Sequence, residues 1–225
     1  MEHLILHQDP ISANCYKISL TAALLSIPLE HRSYSIMKGE TRTPEFLENV
    51  SAYGRIPVLQ IGGSTFLPES NAACFYLAEK SSSSSNSTSS PTLIPDDPLL
   101  RAEMFSWMFF EQNQHEVNIA TLRFWLHVLG EKNLDGTRRV QVDGKVKAGK
   151  QVLDYMNDHL AKSEHGWFVG ENITLADICL FAYTHIAHHS GFNLDEWPAV
   201  QKWCERVKGV RNFVPFTFYN GLGGS

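Results

Sequence analysis

The sequence predicts an α/β domain followed by an all-helical domain. Three observations carry this. The first 80 residues alternate short apolar runs with helically spaced ones, in the order β-α-β-α-β-β-α. A serine run at 81–90, closed by Pro91, interrupts the pattern. From residue 99 onward the apolar patterns have helical spacing. The expected organisation is therefore an α/β domain over 1–80, a Ser-rich linker over 81–98 and an all-helical domain over 99–225.

Each element has a local reason. Residues 4–7 (Leu-Ile-Leu-His) form a short apolar run suited to a buried strand. In 15–25, Ile18, Ala22 and Leu25 recur at helical spacing, and 31–36 alternate weakly. Thr43-Pro44 is a helix start, a capping hydroxyl before a proline at the first helical position. Residues 56–61 and 64–67 flank Gly62-Gly63 and read as a β-hairpin, so that strand pair is antiparallel. The helix between the first two strands makes those two parallel. Ser70-Asn71 opens a further helix through Leu77. Beyond the linker, 99–129, 146–160, 178–186 and 197–207 have helical patterns. Residues 133–144 are polar and contain glycine, which predicts a loop. Thr174-Leu175-Ala176-Asp177 has the form of a capping box.

Composition narrows the function. There are 19 Lys+Arg against 24 Asp+Glu, a net charge of −5, where nucleic-acid binding usually needs a basic surplus. The four cysteines, Cys15, Cys74, Cys179 and Cys204, form neither a CxxC pair nor a zinc pattern. No apolar run is long enough to span a membrane, and the first residues lack the basic start of a signal peptide. The expectation is a cytoplasmic protein with no nucleic-acid or membrane partner.

Three places carry chemistry. Ser12-Ala13-Asn14-Cys15 lies between the first strand and the first helix, where free N–H groups and the helix dipole favour an anion. Read alone, Ser12 or Asn14 is a helix cap. Gly54-Arg55-Ile56-Pro57 opens a strand with proline, a place for a cis bond, and Ile56 can pair with an extended peptide. Read alone, this is an edge strand with a proline blocker. Glu69-Ser70-Asn71 sits at a strand-to-helix junction, suited to a ligand with an α-amino-acid head group. Read alone, it too is a cap.

Their order and separation form a pattern. The first 80 residues resemble the thioredoxin-like domain of the glutathione transferases, through Ser12-Ala13-Asn14-Cys15-Tyr16-Lys17, the Gly54-x-Ile56-Pro57-Val58-Leu59 run and Leu67-Pro68-Glu69-Ser70-Asn71-Ala72-Ala73. Trp167-Phe168-Val169-Gly170 followed by Thr174-Leu175-Ala176-Asp177 resembles that family's helical domain. The stretch from Trp107 to Gln112, with His115-Glu116 and Arg123-Phe124-Trp125, is similar to a bacterial and fungal branch. The serine run and the tail after Phe216 fall outside the resemblance.

The resemblance implies an N-terminal thioredoxin-like domain, an all-helical C-terminal domain and glutathione as cosubstrate or cofactor. Ile56, beside Pro57, would pair with the cysteinyl part, and Glu69 and Ser70 would hold the γ-glutamyl head. Lys38, Thr41, Arg42 and the neighbouring Arg55 are candidates for the remaining contacts. Ser12, Asn14 and Cys15 are all in range of the sulfur; a hydrogen bond from Ser12 would favour the thiolate. A Cys15 thiolate would instead favour thiol transfer. The electrophile pocket would draw on Phe110, Glu111, His115 and Arg123, with Trp107 assigned to the core. The implied activity is addition of glutathione to an electrophilic small molecule, by a homodimer. The alternatives are glutathione-dependent cis–trans isomerisation of a conjugated alkene and a non-catalytic glutathione-binding module.

Overall fold

A computed structural model describes residues 3–84 and 92–216. The chain divides into two compact units: Met1–Thr92 with Val210–Ser225, and Leu93–Gly209.

The first unit has the thioredoxin-like arrangement. Strands β1 (Leu4–Gln8), β2 (Glu30–Ser33), β3 (Val58–Ile61) and β4 (Thr65–Pro68) form one mixed sheet in the order β2-β1-β3-β4. β1 and β2 run parallel, as the intervening helix requires; β3 is antiparallel to β4, as the Gly-Gly hairpin requires, and also to β1. Helices α1 (Ala13–Leu24) and α3 (Ser70–Ser84) pack on each other, and α2 (Pro44–Asn49) starts at Thr43, whose hydroxyl accepts the Phe46 N–H. Leu6 and Leu59 face each other across β1 and β3 with no exposed surface, in a core that includes Ile18, Leu24 and Leu77. Each such side chain contributes about 1.5–3 kcal/mol of burial free energy.

The second unit is helical. Helix α4 (Pro98–Phe110) is capped by Asp97, whose carboxylate accepts the Leu99 and Leu100 N–H groups at 2.9 Å. The chain continues in wider π-helical turns over Glu111–Ala120 and Phe124–Gly130, joined by α5 (Thr121–Arg123). Then come α6 (Gly136–Arg139), α7 (Val142–Lys162), α8 (Leu175–Thr184) and α9 (Pro198–Lys208). All ten residues of α8 are buried, which makes it the central helix of the unit.

The Thr174–Asp177 motif anchors that helix. Asp177 is fully buried and accepts from the N–H groups of Thr174 (2.8 Å) and Phe168 (3.1 Å) and from Trp203 Nε1 (2.9 Å). Burial pushes its carboxyl up to about 6, against the pull of these donors.

Three boundaries differ from the sequence expectation. Helix α3 runs on to Ser84, so the serine run begins inside a helix; residues 85–91 lie outside the described residues. The expected loop at 133–144 holds α6, because Asp135 caps it through the Arg138 N–H at 2.8 Å, and α7 begins at Val142. The third concerns 210–216, which pack with the first unit rather than with the helices, tied by the Tyr16 hydroxyl donating to the Val214 carbonyl at 2.6 Å.

Candidate functional site

The sheet register gathers the three motifs. Val58 stands opposite His7 on β1 and opposite Pro68 on β4. The loop after β1, the Ile56-Pro57 step before β3 and the Glu69-Ser70 junction after β4 therefore share one end of the sheet. The Ile56-Pro57 bond is cis.

Ser12 caps α1 in an extended conformation, its Oγ accepting the Cys15 N–H at 3.4 Å. It is held from behind by Asp9, a residue the sequence reading passed over. The Asp9 carbonyl accepts the Ser12 N–H at 2.9 Å, and its carboxylate accepts the N–H groups of Ile11 (3.1 Å) and Ile36 (2.7 Å). An acceptor placed just after a strand and just before a helix start was the available signal.

The neighbours of Ser12 differ in access. Asn14 is half-buried. Cys15 is 1% exposed, and burial pushes its thiol up to about 12, with the Ser12 hydroxyl pulling the other way. At neutral pH it remains a thiol, a poor nucleophile. Ser12 combines partial exposure with a hydroxyl, at the positive end of α1.

Glu69 has a left-handed backbone, φ 69°, unusual for a residue with a side chain and a form of local strain that clusters at ligand sites. It leads into Ser70, which is buried and donates toward Asn71 Oδ1 at 3.5 Å. Arg42 is exposed and donates from Nη1 to the Tyr53 carbonyl at 2.7 Å, which braces the loop before Arg55 and Ile56. Gly54 in that loop has φ +61°, and an added Cβ would lie 2.7 Å from both Arg42 Nη1 and the Thr41 carbonyl. Lys38 and Arg55 are exposed, while Thr41 is buried. Asp9, through Ile36, ties the segment carrying Lys38 to the Ser12 loop.

The remaining predicted residues lie in the second unit. Phe110 packs edge-on against Trp107 (5.3 Å), which also meets Phe168 and His159 at 4.6 Å, so Trp107 is core. Glu111 is fully buried and accepts from Gln112 Nε2 at 2.8 Å. His115 is fully buried, its Nε2 2.8 Å from Thr184 Oγ1. Thr184 spends its proton on the Leu180 carbonyl at 2.7 Å, so His115 Nε2 is the donor. Arg123 is 3% exposed, 6.0 Å over the Tyr183 ring, and burial lowers its pKa. Glu111, His115 and Ile119, spaced four apart along the π turns, share one face and are all buried.

Known proteins give this arrangement its context. Residues 6–85 match the glutathione S-transferase N-terminal domain, and 120–209 match the glutathione S-transferase C-terminal domain. Glutathione S-transferase 2 of Anopheles gambiae is 29% identical over 194 residues, covering 86% of this chain and 85% of that protein. The crystal structure of a glutathione S-transferase from Pseudomonas fluorescens Pf-5 superposes with a TM-score of 0.83 at 37% identity, covering 95% of this chain and 98% of that one. Ure2p in complex with glutathione has the same fold, with a TM-score of 0.81 at 22% identity over 94% of this chain and 96% of its own. With both domain models matched in order along its length, the chain belongs to the glutathione S-transferase family.

Proposed function

We propose that this protein is a glutathione transferase that holds glutathione as a thiolate and adds it to an electrophilic small molecule. The observation that carries the reading is Ser12: a partly exposed hydroxyl at the α1 N-terminus, beside a cysteine that burial keeps protonated. Ser12 Oγ accepts the Cys15 N–H, and in this reading its hydroxyl proton turns from the buried Cys15 sulfur to the glutathione sulfur. A donor to the charged form and the positive end of a helix both lower the thiol pKa. Ser12 stays neutral and stabilises an anion. The glutathione-bound Ure2p structure supports glutathione as the ligand, since it shares this fold.

In this reading Ile56 pairs with the cysteinyl backbone, and Ser70 with the α3 N-terminus holds the γ-glutamyl carboxylate. Glu69 meets the ammonium, and Lys38, Arg55 and Arg42 offer cations to the remaining carboxylate. Phe110, Glu111, His115 and Arg123 belong to the electrophile side. The protein works as a homodimer in a reducing compartment, where its four buried cysteines remain thiols.

A thiol-balance assay tests this. Glutathione is mixed with the protein and a panel holding 1-chloro-2,4-dinitrobenzene, a mixed disulfide and conjugated enones. The expected result is a conjugate with matching glutathione loss, reduced about a hundredfold in Ser12→Ala. Alkene isomerisation with glutathione conserved, or disulfide reduction lost only in Cys15→Ala, would replace the reading.

A further inference from the structure

Lys17 has no exposed surface, yet it sits on α1 among the core residues Tyr16 and Ile18. Burying an amine is far costlier than burying methylenes, and a leucine or methionine would fill the space without that cost. The amine has a defined destination. Lys17 Nζ lies 3.2 Å from Asn71 Oδ1, on the second residue of α3. The same oxygen is approached by Ser70 Oγ at 3.5 Å.

One carboxamide oxygen thus serves two donors, and they are not equal. The lysine contact is shorter, whereas the serine contact sits at the limit of a hydrogen bond. A lysine donor that satisfies Asn71 Oδ1 frees the Ser70 hydroxyl to turn its proton outward. Ser70 stands at the α3 N-terminus, directly after the left-handed Glu69. Lys17 reaches this point from another helix, 54 residues earlier in the chain.

We propose that Lys17 is a positioning residue: through Asn71 it orients Ser70 and the start of α3 to receive the carboxylate of an α-amino-acid head group. This rests on the reading that Ser70 binds the γ-glutamyl carboxylate. Lys17 itself does not touch the ligand. It engages the oxygen that Ser70 would otherwise use, and it fixes the first turn of a helix end that already favours anions.

The test compares glutathione with 4-aminobutyryl-cysteinyl-glycine, which keeps the amine and the rest of the peptide but lacks the head-group carboxylate. Both are titrated calorimetrically into the full-length protein, wild type and Lys17→Met. Wild type is expected to prefer glutathione by about tenfold or more, the worth of a charge-assisted hydrogen bond. Lys17→Met is expected to lose most of that preference while binding the analogue as before, and to leave the pH profile of the bound thiol unmoved. Asn71→Leu, which removes the shared oxygen from a half-buried position, is expected to do the same, and it serves if Lys17→Met fails to fold. In a Ser70→Ala background, Lys17→Met is expected to have no further effect. Weakening of both ligands by the same factor in Lys17→Met and Asn71→Leu, or full retention of the preference in both, would overturn the role of Lys17 alone. A wild type that does not discriminate between the two ligands would overturn the carboxylate reading and the proposal with it.

Discussion

Asp177 ties three segments of the second unit together. Its carboxylate gathers donors from Phe168, Thr174 and Trp203, three positions that otherwise have little in common. Asp177→Ala would leave buried N–H groups without an acceptor, each worth about 1–3 kcal/mol. We expect a loss of about 3–5 kcal/mol, read as a lowered urea midpoint with an unchanged slope. Histidines set the acid limit. Burial holds His185 and His189 down at about 4, and His185 stacks on Phe181 at 4.3 Å. Below the ordinary histidine value of about 6.5 the unfolded chain takes up protons that these two rings refuse, so stability falls as pH drops from about 6.5 to 4. Asp177 acts oppositely, since its folded pKa is raised: it adds stability as pH falls from about 6 to 4. Two imidazoles outweigh one carboxyl, so the net urea midpoint should fall over that window, and His185→Phe should flatten the decline. A midpoint that rises toward pH 4 would contradict this.

At the scale of elements, the loop before β3 is where site and fold meet. Gly54 combines a left-handed φ with a 2.7 Å approach of the Thr41 carbonyl, which is backbone and cannot swing aside. Gly54→Ala is therefore expected to cost about 1–3 kcal/mol and to weaken glutathione binding by displacing Ile56; thermal unfolding and titration calorimetry read the two effects. The helices and strands were legible where local rules agree with packing. Gly62-Gly63 between two apolar runs marked the hairpin, and Thr43-Pro44 and Thr174–Asp177 marked helix starts that the hydrogen bonds match. The helix Gly136–Arg139 was not legible, because a lone Asp135 cap outweighed a polar composition. Nor were the π turns after Phe110: the apolar spacing there fits an ordinary α-helix almost as well. Lys17 escaped for a different reason. Periodicity marks apolar positions, and a charged residue type at a core position looks like a break in the pattern.

For the whole molecule, the division into an α/β unit and a helical unit followed from the change of period across the serine run, and the family resemblance rested on the order of three individually weak motifs in the first unit together with the Trp167–Gly170 and Thr174–Asp177 pattern in the second. The segment 210–216 could not be placed from sequence, because a hydroxyl 198 residues away holds it. The exposed face of α4 bears on assembly. Leu99 is 67% and Phe109 63% exposed, in line with exposed Ala102 and Ser106. A homodimer would cover such a stripe, so Phe109→Glu is expected to lower the mass in solution from twice 25.4 kDa to 25.4 kDa, as measured by sedimentation. A wild type that sediments as a monomer would remove the dimer from the account.

If Ser12 stabilises a glutathione thiolate, as proposed, the bound sulfur itself carries the signature. The most direct test is a pH titration of the ultraviolet absorbance of the bound thiolate, with wild type, Ser12→Ala and Cys15→Ala side by side. The bound thiol is expected to ionise well below the free value of about 8.5 in wild type and in Cys15→Ala alike, and to return toward the free value in Ser12→Ala. An unchanged titration in Ser12→Ala, or a shift that disappears only in Cys15→Ala, would contradict this role of Ser12.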